Sequence, residues 1–224
     1  MATRDRGDEE ELVLNELYAS LQGEGTRAGR PCVFVRLTGC GLRCSWCDSA
    51  YAFHEGARAR VDEVLERVRA HSIPLVLLTG GEPLEQPGCF VLARRLCDAG
   101  LEVLVETGGH VDTGPLDERV VRIVDVKLPG SGMAHRNLGS NLDRLRPEDE
   151  VKLVVVDRAD MEWAWEVIAR HELDRRGCPL LFSPVHGKLD PALLSTWLLE
   201  RPLVHARLNL QLHKLVWPGR DRGV

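Results

Sequence analysis

Short apolar, β-branched runs recur along the chain, separated by helix-length amphipathic stretches, and this alternation restricts the fold more than any other feature. The strand-like runs cover residues 32–37, 75–78, 102–105, 121–126, 151–156, 180–182 and 204–210. Their length and side chains are those of buried strands. Between several of them lie 61–70, 90–99, 159–172 and 191–199, with apolar residues at helical spacing, and Gly100 is placed to stop the second. Strands alternating with helices pair in parallel through crossovers. The pattern therefore predicts an α/β chain folded as an open, partial barrel of about six mainly parallel strands. No repeat or compositional break divides it, so 12–224 is expected to form one domain. The charged segment 1–11 is expected to be disordered, and 130–147 reads as the longest irregular loop.

Composition narrows the function. With 44% apolar residues there is ample material for a core, and 29 basic against 34 acidic residues leave a formal charge of −5, which is not that of a general nucleic-acid binder. The Arg/Asp/Glu-rich start lacks the apolar stretch of a secretory signal, and no run approaches membrane-spanning length, so a cytoplasmic protein is expected. Of seven cysteines, three crowd into eight residues. That arrangement favours metal binding over a disulfide framework. Cys89, Cys97 and Cys178 lie apart in apolar surroundings and read as small core hydrophobes.

The crowded cysteines are Cys40, Cys44 and Cys47, at C-x3-C-x2-C spacing after the 32–37 run. One iron–sulfur cubane accepts all three and keeps one iron corner free of protein ligands. The alternative is a structural zinc site that recruits Cys32 as a fourth thiolate. Thr79-Gly80-Gly81-Glu82-Pro83 follows the 75–78 run, where glycines let a polar ligand approach bare backbone, or form an ordinary strand-to-helix turn. Arg36 alternates away from Val33, Val35 and Leu37, so it pairs with an acidic neighbour, reaches solvent, or points into the barrel toward an anionic ligand. Glu106, Thr107, Asp125, Lys127, Ser183, Gln211 and His213 stand at or beyond predicted strand ends, where barrel folds collect their chemistry.

The cysteine motif together with the glycine turn resembles the radical S-adenosylmethionine (SAM) superfamily. There the free iron chelates the amino and carboxylate groups of SAM, and an electron from the reduced cluster yields a 5′-deoxyadenosyl radical. The resemblance implies a radical SAM fold, a partial TIM-like barrel. The order Leu21-Gln22-Gly23-Glu24-Gly25, Gly29-Arg30-Pro31, Val33-Phe34-Val35-Arg36, Cys47-Asp48-Ser49 and Thr79-Gly80-Gly81-Glu82-Pro83, continued by Gln211, His213 and Lys214, resembles the 7-carboxy-7-deazaguanine synthases. That likeness implies ring contraction of 6-carboxy-5,6,7,8-tetrahydropterin to 7-carboxy-7-deazaguanine with loss of ammonia, on the route to 7-deazapurines such as queuosine.

Carried over position by position, the family resemblance implies pterin contacts at Leu21, Gln22, Gly23, Arg36, Thr79 and His213. It implies SAM contacts at Trp46, Cys47, Asp48, Gly81, Asp125, Val126, Lys127, Ser183, Pro184, Val185 and His186. Cys40, Cys44 and Cys47 would hold a 4Fe–4S cluster, and Ser49 stands where some relatives use threonine to bind Mg²⁺. The chain departs from some relatives in reading Asp-Val-Lys for Ser-Pro-Lys at 125–127 and Ser-Pro-Val-His for Gln-Pro-Met-Asp at 183–186, and in the segment 215–224. The family further implies a homodimer and an electron donor such as flavodoxin or ferredoxin, with no nucleic acid or membrane partner. A glycyl-radical activase, which shares the cluster but acts on a partner protein, is the competing enzyme reading. Leu21-Gln22-Gly23-Glu24-Gly25 and Arg36 instead suit a small anionic substrate.

Overall fold

The computed structural model describes residues 10–224. It opens with a long strand, β1 (Glu11–Leu21), followed by β2 (Pro31–Leu37) and a short β3 (Ala57–Arg60). There follow α1 (Val61–Ala70), β4 (Leu75–Gly80), α2 (Pro87–Asp98), β5 (Glu102–Thr107), β6 (Val121–Val126) and the one-turn α3 (Gly139–Asp143). The remaining elements are β7 (Glu150–Val155), α4 (Arg158–Arg170), β8 (Leu180–Pro184), α5 (Pro191–Glu200), β9 (Ala206–Leu208) and α6 (Leu212–Val216). The strands form one sheet in the order β3-β1-β2-β4-β5-β6-β7-β8-β9. From β2 to β9 every pairing is parallel, whereas β1 runs antiparallel to both β2 and β3.

The expected open parallel sheet is present: β2, β4, β5, β6, β7 and β8 are its long parallel strands. The two antiparallel strands at one edge were not legible as strands. In β1 the alternation breaks at an irregularity between Leu14 and Glu16, so Leu12 and Leu14 face the core and the next core-facing residue is Leu17. A bulge of this kind destroys the period-two signal. Strand β3, Ala-Arg-Ala-Arg, is almost wholly exposed. Glu11 lies in β1, contrary to a disordered 1–11 segment, and residues 1–9 lie outside the described chain. The 204–210 run shortens to β9, and 130–147 holds two 3-10 turns and α3 rather than a featureless loop.

Strand alternation divides the core. Val33, Val35, Val76, Leu78, Val103 and Val105 pack against α1 and α2, while Val124, Val126, Val151, Leu153, Leu180 and Phe182 pack against α4 and α5. The opposite sheet face is apolar only at its lower end, where Cys32, Phe34, Leu75, Leu77, Leu104, Val121 and Ile123 meet. One step further along these strands the same face turns polar, with Arg36, Thr79, Glu106 and Asp125, joined by Lys152 and Ser183 from β7 and β8. Helices thus seal one side of the sheet. The other side curls around an apolar cluster that lies beneath a ring of polar groups.

Candidate active site

That polar ring lines a cavity of about 390 Å³. Its upper wall is the loop after β2, which is tied in several places. Gly39 N donates to Ala52 O at 2.8 Å and Glu82 N to Gly39 O at 2.7 Å. Further along, Ser45 N donates to Ser131 O at 3.2 Å and the Ser45 hydroxyl to Gly130 O at 2.9 Å. Cys40, Cys44 and Cys47 all line the cavity. Burial pushes the Cys40 thiol up to about 11 and raises Cys44, with the Lys127 ammonium opposing the second shift. Gly81 packs so closely below that a Cβ there would stand 2.1 Å from Gly39 O and 2.8 Å from Cys40 Cβ.

The floor is a set of buried charges. Lys152 Nζ lies 2.6 Å from Glu24 Oε2 and 2.8 Å from Glu106 Oε1. Asn209 Nδ2 donates to Glu24 Oε2 at 3.1 Å and to Ser183 Oγ at 2.8 Å, and Gln211 Nε2 bridges Glu24 Oε1 and Asp48 Oδ2 at 3.1 and 3.2 Å. Burial would raise the Glu106 carboxyl, but the Lys152 ammonium beside it holds it below the usual range. Beside this group Lys127 Nζ meets Asp125 Oδ2 at 2.7 Å, while the buried Asp125 Oδ1 has no partner. An unpaired buried acceptor on a cavity wall is a place for a ligand donor, since leaving it bare costs free energy.

At the opposite rim Arg36 Nε donates to Glu16 Oε2 at 3.1 Å and its Nη2 to the Tyr18 hydroxyl at 3.3 Å. Tyr51 also donates to Glu16 Oε2, at 2.9 Å. Arg36 therefore has the acidic partner that sequence alternation allowed, and it also lines the cavity. Tyr18 further donates to Val224 O at 3.1 Å, and Arg222 lies over the Tyr51 ring at 4.1 Å while pairing with Glu55. Gly23 admits His213 closely, since a Cβ there would meet His213 Nδ1 at 2.6 Å. Burial lowers the His213 pKa, so the imidazole stays neutral near pH 7 despite Glu24 nearby.

Of the residues singled out from sequence, Leu21, Gln22, Gly23, Arg36, Thr79 and His213 all line this cavity. So do Trp46, Asp48, Ser49, Gly81, Asp125, Lys127, Ser183, Pro184, Val185 and His186. Val126 is the exception: its side chain is 2% exposed and belongs to the core under α4 and α5, so only its backbone is available to a ligand. Sequence reasoning passed over Glu16, Tyr18, Tyr51, Lys152 and Asn209. The signal for Lys152 was a lone cation inside the apolar run Val151–Val156, on the face opposite Val151 and Leu153.

The zinc alternative lacks its fourth ligand. Cys32 is fully buried near the start of β2, about 16 Å of strand away from the cysteine loop at ~3.3 Å per residue. Burial pushes its thiol up to about 12. A cubane needs three thiolates and no fourth, and Cys40, Cys44 and Cys47 all line the same cavity.

Comparison with known proteins agrees. The profile described as the Radical SAM superfamily matches residues 34–158. The chain is 44% identical over 216 residues to a 7-carboxy-7-deazaguanine synthase of Chlorobaculum tepidum, covering 95% of this chain and 97% of the relative. The chain belongs to the 7-carboxy-7-deazaguanine synthase family. A Koribacter versatilis member is 42% identical over 95% of this chain and its own full length. The crystal structure of QueE from Escherichia coli shares the fold, with a TM-score of 0.74 at 24% identity over 90% of this chain and 94% of that one. Membership of the radical SAM superfamily brings a 4Fe–4S cluster and SAM as cofactors.

Proposed function

We propose that the chain is a 7-carboxy-7-deazaguanine synthase that contracts 6-carboxy-5,6,7,8-tetrahydropterin to 7-carboxy-7-deazaguanine and releases ammonia. The observation that carries this reading is the distribution of charge around the cavity, taken with family membership. Arg36 offers a cation at one rim, and Glu24 and Glu106 offer carboxylates on the floor. A carboxylated pterin is anionic at one end and rich in N–H donors at the other, which is the complementary pattern. Family membership also decides against a glycyl-radical activase, which must admit a polypeptide.

Cys40, Cys44 and Cys47 hold the cluster in this reading, and the reduced cluster with SAM supplies a 5′-deoxyadenosyl radical when bound. Gly81 offers SAM bare backbone on the cavity wall, with Trp46, Asp48, Asp125, Lys127 and the 183–186 segment around it. Asp125 Oδ1 is a free acceptor there. Gln22, Gly23, Thr79 and His213 orient the pterin, and the neutral imidazole accepts or donates one hydrogen bond without repelling Arg36. The Ser49 hydroxyl, 3.8 Å from Cys47 Sγ, would offer one hard oxygen donor to Mg²⁺. A homodimer, a cytoplasmic setting and a flavodoxin or ferredoxin as reductant complete the proposal by family resemblance.

The deciding experiment is anaerobic turnover. Protein reconstituted to about four irons per chain, the content of one cubane, is reduced and incubated with the carboxypterin and SAM. Formation of the deazaguanine acid is expected. A fully loaded cluster that cleaves SAM but yields none of this product overturns the assignment.

A further inference from the structure

Behind the cysteine loop, outside the cavity, lies a second set of polar contacts, centred on the half-exposed Glu85. Glu85, in the 3-10 turn Pro83–Glu85, accepts the Gly41 N–H at 2.9 Å and, on the same Oε1, meets His110 Nε2 at 2.8 Å. A carboxylate only accepts, so Nε2 carries the imidazole hydrogen in this contact. The His110 side chain is 4% exposed, and its Nδ1 stands 3.6 Å from Glu82 Oε2. Glu82 is itself fully buried, accepting from Leu84 N at 3.0 Å, the Thr107 hydroxyl at 2.9 Å and Gly108 N at 2.7 Å. The Glu85 carboxylate lies directly against Gly41, where a Cβ would stand 2.6 Å from its Oε1.

One peptide further on, the Leu42 N–H donates to Cys40 Sγ at 3.4 Å. The Leu42 side chain is 2% exposed, so it anchors the far end of the same peptide. With Gly41 N held by Glu85 and Leu42 held by the core, the planar peptide between them has little freedom to rotate its N–H off the sulfur. Hydrogen bonds to ligating sulfurs stabilise the more negative, reduced state of a cluster and raise its potential. We propose that Glu85, oriented by His110, is a positioning residue that holds the Leu42 N–H on Cys40 Sγ and so keeps the cluster easier to reduce. The inference rests on Cys40 as a cluster ligand and is independent of the pterin assignment.

Charge and geometry act here with opposite signs, which gives the test its resolution. Removing the Glu85 negative charge by itself eases reduction, whereas losing the N–H to sulfur contact hinders it. Glu85→Gln and Glu85→Ala both remove the charge, and only glutamine keeps an acceptor for Gly41 N. Reconstituted holoproteins are titrated without SAM, following the reduced cluster by electron paramagnetic resonance. The alanine variant is expected at a lower potential than the glutamine variant, with roughly tenfold weaker electron affinity, about 59 mV for a one-electron couple. Equal potentials in the two variants overturn the proposal. If Glu85→Ala does not retain about four irons per chain, His110→Phe, which leaves the Glu85 charge in place, is compared with the unaltered protein. A lower potential supports the role, and an unchanged one overturns it.

Discussion

Lys152 Nζ lies 2.6 Å from Glu24 Oε2, joining the middle of β7 to the loop that follows β1. The same ammonium meets Glu106 of β5, and its side chain is only 11% exposed. Removing one partner of a buried ion group leaves the others uncompensated, at about 3–5 kcal/mol. Lys152→Met should therefore destabilise the fold by about 3 kcal/mol, or about 6–12 °C in Tm for a chain of this size. Calorimetry reads the first effect. Weaker pterin binding is expected with it, because Glu24 and Glu106 then repel one another across the floor.

Acid stability should depend on Asp149, which is fully buried between β6 and β7. Burial pushes its carboxyl up, but hydrogen bonds from the Arg146 guanidinium and from Arg122 N and Arg146 N outweigh that and hold it below the ordinary value. A carboxyl with a depressed folded-state pKa stabilises above its unfolded value of about 3.9, and this contribution disappears as pH falls through the folded value. Asp149→Asn should thus be less stable than the unaltered protein by a constant margin from pH 7 to about 5, shrinking below about pH 4. Urea unfolding at a series of pH values measures the margin. A margin that widens in acid contradicts this account.

Gly81→Ala should cost the cluster its site. The added Cβ meets Gly39 O at 2.1 Å, a backbone atom that cannot swing aside as a side-chain tip would. Overpacking of this kind costs about 1–3 kcal/mol, and the strain falls directly on the loop carrying Cys40. Iron content after reconstitution should drop well below that of the unaltered protein, with SAM cleavage falling in parallel.

Cys32→Ala makes the opposite case. Its thiol packs in the apolar cluster with Phe34 and Leu75, so the loss is one of packing, about 1 kcal/mol on the scale of a buried methylene. Iron content should not change. Loss of iron in this variant, or stoichiometric zinc in the unaltered protein, would revive the four-thiolate reading.

The contrast between these residues explains what the sequence revealed. Parallel strands buried on both faces read as near-continuous apolar runs, so β2 and β4 to β8 were legible, and the glycine turn and cysteine motif sit directly after two of them. The β1 strand was hidden by its bulge, and Glu16 and Tyr18, which hold Arg36, were hidden with it. Lys152 and Asn209 carry no local pattern; what gives them a role is the register that sets Lys152 beside Asp125 and Asn209 beside Ser183. Glu85 and His110 lie 25 residues apart, and no spacing rule connects them. Their relation exists only once β5 has been laid against β4.

Arg36 offers the most direct test of how the site reads its substrate. The guanidinium already shares Glu16 with Tyr51, and it lines the cavity on the same sheet face as Thr79, its register partner on β4. A carboxylated ligand would gain a charge-assisted contact worth roughly 1.5–3 kcal/mol. Arg36→Ala should therefore raise the pterin Kd by roughly ten- to a hundredfold, while SAM binding stays unchanged. Arg36→Lys keeps the charge but loses the planar fork, so its Kd should fall between the two. Anaerobic equilibrium binding of each ligand separately distinguishes these outcomes. Because Glu16 keeps Tyr51 as a partner, the alanine variant should still fold, and a normal pterin Kd in that folded protein would remove Arg36 from the recognition of substrate.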